Sequence, residues 1–274
     1  VALGDLYPGD TNLDSAHLCR IVETLYRLHD AEDMGLTHTA FRKFTTSIGE
    51  PANTDAGQAY SFFHAVNNVF TLRVLADLAQ VRGDDGSRAL FLDKLRRLEG
   101  WLPAFRDLQT GFYYALREVE TGRYAYRVAG PDRVTVMADN VYFPLAFGVL
   151  SEREMQPSVD YLESHVGDSF PYPYAYPPYD CVNSGLWTAW WLPRSWQEPL
   201  CHFALAMREL ERPSRVYQTV RKQAERFALD DEVWEHYHPD TGEPGGRRGY
   251  STTSACLNIA IVEALFGLRP AEPG

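Results

Sequence analysis

Apolar residues return every three or four positions through most of this chain, and that period makes helices its main building material. The clearest run is Ala59, Phe63, Val66, Phe70, Val74, Leu78 and Val81, with Gly83 ending it. Leu18, Ile21, Val22, Leu25 and Leu28 predict an earlier helix over about 13–30, with Asp10, Asn12 and Asp14 available as caps. A third begins at Ser87 and aligns Phe91, Leu95, Leu98, Leu102 and Phe105, its last turn perturbed by Pro103. Asn140 to Leu150 follows, and then Ser151-Glu-Arg-Glu154, a capping box ahead of Met155, Val159, Leu162 and Val166. Leu200, Phe203, Met207 and Leu210 mark one more face; Val216, Val220, Ala224 and Phe227 mark another. Residues 252–268 are apolar nearly all round, which predicts a helix buried on several sides.

The connections between these helices alternate short and long. Residues 31–57 form a long Thr-rich connection punctuated by Gly35, Gly49, Pro51 and Gly57. Over 112–128 the period changes to two, with aromatic and β-branched residues on either side of Glu120-Thr-Gly122, which predicts a small β-hairpin. Residues 168–184 are rich in Pro and Tyr, and rings in that density need to be buried or bound. No stretch has the composition of an interdomain linker. The expected fold is therefore all-α, a single domain over 1–274 built of helical hairpins with one β insertion.

The chain's charge narrows its partners. A formal net charge of −11 without any Lys/Arg block disfavours nucleic acid and anionic membranes. No apolar run approaches the roughly 20 residues of a membrane span. Cys19, Cys181, Cys201 and Cys256 have no CxxC spacing and are expected to be reduced thiols in a cytoplasmic protein. Aromatic residues make up 13% of the chain, including 16 Tyr and 6 Trp, which points to a ring-lined pocket for a small-molecule substrate.

Within that frame the stretch Val233-Trp-Glu-His-Tyr-His-Pro-Asp-Thr-Gly-Glu243 stands out, because it sets one carboxylate, Glu235, among rings at the end of a segment with helical character. His236 and His238 flank Tyr237 with no third ligand nearby, so neither a metal nor another cofactor is expected.

Four segments in order resemble the trehalase-like and α-glucosidase-like (α/α)6-barrel glycoside hydrolases, with the related mannosylglycerate hydrolase group. Trp101-Leu-Pro-Ala-Phe-Arg-Asp-Leu-Gln-Thr-Gly-Phe-Tyr-Tyr114 is similar to the family's segment leading into a small hairpin, and Asn140-Val-Tyr-Phe-Pro-Leu-Ala-Phe-Gly148 to its Pro-Leu-x-x-Gly helix. Asp180-Cys-Val-Asn-Ser-Gly-Leu-Trp187 resembles its substrate-lining loop. Glu235-His-Tyr-His-Pro-Asp-Thr-Gly-Glu243, with Gly249-Tyr-Ser251, resembles the stretch that carries its catalytic base.

The resemblance implies an (α/α) barrel, shortened here, and an inverting hydrolase of a small α-glycoside. Glu235 takes the place of the general base, and Asp180 is a second catalytic candidate. Arg42, Tyr179, Asn183, Trp187, His236, Tyr237 and Tyr250 are the expected substrate contacts. One position departs from the pattern: Thr37 stands where the family carries its general-acid Asp, and a hydroxyl does not donate a proton near neutral pH. Asp33, Glu50, Asp55, Asp139 and His38 are the other groups considered for that task. Two further readings follow from the departure. In one, a cyclase, isomerase or lyase reuses the aromatic pocket for proton transfer on a small hydrophobic molecule; in the other, the chain is an inactive ligand-binding module. A shortened barrel would expose apolar helix faces, so a homodimer that covers them is expected.

Overall fold

The computed structural model describes residues 38–40, 58–118, 127–128, 133–134, 136–167, 169, 172–173, 175–176, 195–196, 198–238 and 240–268. Its elements in chain order are β1 (His38–Ala40), β2 (Gln58–Ser61), α1 (Phe62–Val81), α2 (Asp85–Trp101), β3 (Leu116–Glu118), β4 (Arg127–Val128), β5 (Arg133–Val134) and β6 (Val136–Met137). Then come α3 (Ala138–Ala146), α4 (Glu152–Val166), β7 (Ala175–Tyr176), β8 (Ser195–Trp196), α5 (Glu198–Glu209), α6 (Pro213–Asp230), β9 (Trp234–Tyr237), β10 (Pro244–Arg248) and α7 (Ser251–Ile259). A π-helical turn, Ala260–Leu265, continues α7, and a 3-10 turn, Leu102–Phe105, ends α2 where Pro103 interrupts it.

Burial sorts the helices into two layers. Every residue of α3 is buried, and in α5 so is every residue from Leu200 to Met207 except His202. α1 buries nine residues, Phe62 to Ala79, on most sides. By contrast α2 buries only Phe91, Leu95 and Leu98, and α6 only Val216, Val220 and Gln223. A helix apolar all round belongs inside and an amphipathic one outside. Contacts agree with this: α1 packs on α3, α3 on α5, and α5 on α7, while α2, α4 and α6 each cover their own inner partner. This inner and outer layering of hairpins is consistent with a barrel-like α/α fold.

Sequence-encoded caps fix the hairpin ends. Ser61 accepts from the His64 N–H at 3.2 Å and Asp84 from the Ser87 N–H at 3.0 Å. The predicted box at α4 is present in both directions, with Ser151 N–H donating to Glu154 at 2.9 Å and Glu154 N–H to Ser151 Oγ at 3.4 Å.

Two expectations change, and a third falls partly outside the described residues. First, the turn of the hairpin expected over 112–128 lies outside the described residues, which break off at Glu118 and resume at Arg127. β3 pairs antiparallel with β2, the strand that leads into α1, and β4 pairs with β5. Second, α1 begins at Phe62, because Gln58–Ser61 is committed to the sheet between β1 and β3. Third, the last helix is not buried on several sides. Its buried stripe is small (Thr253, Cys256, Ala260, Ala264), while Ile259, Val262 and Phe266 are 38%, 45% and 67% exposed. Small side chains let its backbone approach α5, and the Arg208 guanidinium donates at 2.7 Å to the Glu263 carbonyl within the π turn. Among the described residues no helix is long and apolar enough to cross a membrane.

Candidate active site

The two ends of the helical layers differ. At one end each inner helix passes to its outer partner through a short turn: Arg82–Asp84, Phe147–Ser151, and Leu210–Arg212. At the other, the chain leaves α2, α4 and α6 and reaches the next inner helix only after an excursion that contains strands. All ten described strands precede an inner helix or follow an outer one, so they gather at the N-terminal ends of α1, α3, α5 and α7. Helix N-termini carry partial positive charge and unpaired N–H groups, and carboxylates are favoured there.

Glu235 lies at this end. It is in a strand, β9, rather than at a helix end as its flanking pattern implied, and β9 is the central strand of the order β10-β9-β8. Register on one side runs Pro244↔Tyr237 and Gly245↔His236, then breaks before Arg248↔Trp234. Glu235 therefore faces the irregular pair Gly246–Arg247. Gly246 has φ +76°, and a Cβ there would stand 2.5 Å from Glu235 Oε2, 2.8 Å from Glu235 Cβ and 2.8 Å from His236 Nδ1. Only glycine meets both conditions. The half-buried carboxylate is thus laid over bare backbone, where Oε2 accepts the Arg247 N–H at 3.0 Å. Its other oxygen, Oε1, has no hydrogen bond among the described residues.

The strand is held from below. The Tyr237 hydroxyl donates to Asp230 Oδ2 at 2.8 Å, and Arg226 Nε donates to the same oxygen at 2.7 Å. The Arg226 guanidinium also lies 4.9 Å from the Tyr237 ring centroid. Burial, followed by the Asp230 hydrogen bond and charge, pushes the Tyr237 phenol well above its ordinary range. Asp231, in the left-handed region at φ 49°, ends α6 and turns the chain into β9. On the far side, Arg248 stacks 5.5 Å from the Trp234 centroid and pairs with Glu232 at 3.3 Å. The Tyr250 N–H donates to the Val233 carbonyl at 3.2 Å as the chain enters α7.

Of the residues singled out in the sequence, Glu235, His236, Tyr237 and Tyr250 come together in this corner. Tyr237 and His236 are fully buried, the first with its hydroxyl engaged by Asp230 and the second against Gly245 and Gly246, so both support the strand from inside. Tyr250 is partly exposed beside it. Arg42, Tyr179, Asp180, Asn183 and Trp187 lie outside the described residues, as do Thr37, Asp33, Glu50 and Asp55. His238 closes the β9–β10 turn, its Nδ1 accepting from the Asp240 and Thr241 N–H groups at 3.3 and 3.4 Å. Among the described residues no group of three His, Cys, Asp or Glu is placed to hold a metal ion.

The sequence did not single out His202, and it left Asp139 with no partner. The structure pairs them, with His202 Nδ1 2.9 Å from Asp139 Oδ1. Their 63-residue separation carries no local signal, since only the packing of α3 on α5 brings them together. The supporting pair Arg226 and Asp230, at i, i+4 on α6, is of the kind a helical reading can find.

No protein-family model matches the sequence, and no curated protein matches it. Solved structures do match the fold. The GH63 mannosylglycerate hydrolase of Thermus thermophilus, in its complex with glucose, superposes with a TM-score of 0.66 at 16% identity, covering 93% of this chain and 71% of that one. An uncharacterized conserved protein of the same organism reaches 0.67 at 17% identity, over 93% of this chain and 74% of that one. The GH78 rhamnosidase of Bacillus sp. GL1 gives 0.57 at 15% identity, over 89% of this chain and 24% of that one. What these neighbours share with this chain is a fold class, the α/α-barrel-like architecture seen in glycoside hydrolases such as these. Within it, the mannosylglycerate hydrolase is a named neighbour that spans nearly all of this chain.

Proposed function

We propose that this protein is a glycoside hydrolase-like enzyme that cleaves a small α-glycoside with inversion, using Glu235 as general base. The observation that carries the reading is the asymmetry of that carboxylate: Oε2 is pinned to the Arg247 N–H over Gly246, and Oε1 is left to act. A base that must hold a water in line needs a fixed direction, and the central strand with its Tyr237–Asp230–Arg226 anchor supplies one.

In this reading Oε1 takes a proton from water while the water oxygen forms a bond to the anomeric carbon. The bond from that carbon to the leaving oxygen breaks, and a second group, across the sugar, protonates the leaving oxygen. Inverting enzymes hold the two groups roughly 6.5–9.5 Å apart, which suits residues supplied by different elements. Asp180, Arg42, Tyr179, Asn183, Trp187 and Tyr250 are the groups we assign to the sugar. Neighbours of this fold include a mannosylglycerate hydrolase bound to glucose, which supports a hexose-sized substrate.

The test is hydrolysis of a panel containing mannosylglycerate, glucosylglycerate, trehalose and nitrophenyl α-glucoside, with the product anomer followed by NMR. Wild type should release the inverted anomer from at least one, and Glu235→Gln should lower kcat by about 100-fold or more. Retention of configuration, or a Glu235→Gln variant as active as wild type, refutes the assignment.

A further inference from the structure

The fold brings a second proton-handling group to the same end as Glu235. His202 is the fifth residue of α5, and α5 is entered from β8, the strand paired directly with β9 through Trp196↔His236. His202 is therefore about 6 Å along the helix from its first residue, one turn below the strands. Facing it, Asp139 is the second residue of α3, which is entered from β6. The aspartate is 1% exposed, with Oδ1 at 2.9 Å from His202 Nδ1 and Oδ2 buried with no hydrogen-bond partner among the described residues.

A carboxylate this deep is held by the first turn of α3, whose N–H groups and dipole favour negative charge, and by the imidazole. The imidazole is fixed on its other sides by ring edges, Phe143 at 5.0 Å and Phe147 at 6.0 Å between centroids. Its side chain is 12% exposed, the one opening in the otherwise buried stretch of α5 from Leu200 to Met207. With Nδ1 engaged by Asp139, Nε2 is the atom left to exchange a proton.

We propose that His202, positioned by Asp139, is the proton donor that works with Glu235. This rests on the glycosidase reading of the same site. Its imidazolium gives the Nε2 proton to the leaving oxygen as the anomeric C–O bond breaks, and Glu235 takes one proton from the attacking water. Afterwards Glu235 releases that proton to solvent and His202 regains one, so the net change is consumption of one water. A protonated imidazole can serve as a general acid, which the hydroxyl of Thr37 cannot do near neutral pH. Asp139 is a positioning residue, keeping the neutral ring protonated on Nδ1.

Two measurements test this on the full chain. Long-range ¹H–¹⁵N spectra of the neutral His202 ring should show the Nδ1–H tautomer, with an Nε2 resonance that shifts on adding glucose. Asp139→Asn should shift the tautomer toward Nε2–H. On the substrate panel, His202→Gln should lower kcat by about 100-fold with KM little changed, while its urea midpoint stays near that of wild type. An Nε2–H tautomer in the wild type overturns the inference even if the variant fails to fold. Hydrolysis lost in Glu235→Gln but kept in folded His202→Gln overturns this inference alone. No hydrolysis by wild type overturns the glycosidase reading, and this one with it.

Discussion

Gly246→Ala is the substitution for which the structure sets the largest cost per atom added. At φ +76° an L-residue with a Cβ costs about 1–2 kcal/mol in backbone strain. The new carbon would also stand 2.5–2.8 Å from Glu235 Oε2, Glu235 Cβ and His236 Nδ1, closer than real Cβ atoms come. Neither neighbour can swing away freely, because Glu235 Cβ is fixed to the strand and His236 is buried. Overpacking of this kind costs a further 1–3 kcal/mol or so, for a total of about 2–5 kcal/mol. Gly242→Ala is the control: its φ is +70°, but its nearest neighbour is the flexible end of Arg226 at 3.6 Å, so it carries the strain alone. Urea unfolding of both variants isolates the steric part as their difference, about 1–3 kcal/mol. Activity should fall in Gly246→Ala beyond the stability loss, since the added methyl displaces the pinned carboxylate. Equal unfolding free energies for the two variants would refute the packing of Glu235 and His236 over Gly246.

Other consequences follow from single contacts. Tyr237→Phe removes the hydroxyl that donates to Asp230 and should destabilise by about 1.5–3 kcal/mol in urea titration, as expected for a hydrogen bond to a charged group. Ser151→Ala breaks the capping box of α4 and should cost about 1 kcal/mol by the same measurement. Burial chiefly raises the phenols of Tyr142, Tyr172 and Tyr237 in the folded state. The folded protein therefore holds these protons more tightly than the unfolded chain does. The stability they contribute is complete below the unfolded phenol range near 10 and declines as pH rises beyond it. Urea midpoints should be level from pH 8 to 9 and fall between pH 10 and 11, and less so in Tyr237→Phe.

What the sequence made legible was whatever is written in local period and local capping. The helix faces at 63–81, 155–166 and 216–227 needed only the 3.6-residue repeat, and Ser151 with Glu154 needed only their three-residue spacing. Glu235 was legible because rings crowd it in sequence, and the fold keeps two of them, Trp234 and Tyr237, on its own strand. What escaped is what tertiary pairing decides. The pairing of Leu116–Glu118 with β2, across the whole length of α1 and α2, carries no local signal. The apolar residues of 252–268 promised a buried helix, but the stripe that meets α5 is made of the small ones. Hydrophobicity alone does not rank a methyl above a phenyl when close backbone approach is what packs.

The same division bears on the chemistry. The core is built by inner helices and closed by short turns at one end, while Glu235 sits in strands at the other end, on a support of Arg226, Asp230 and Tyr237 that does not pass through that core. The connection that carries Glu235 thus differs from the one before α5, whose Tyr172 packs on Tyr142 and Phe203 within the helical core. Asp139 and His202 are different, because they are seated on α3 and α5 inside the packed layer, where a carboxylate is costly unless it is paired. Seating that pair inside the layer carries an electrostatic cost that Phe or Leu would not, and the proton-donor role proposed for His202 gives the pair a use.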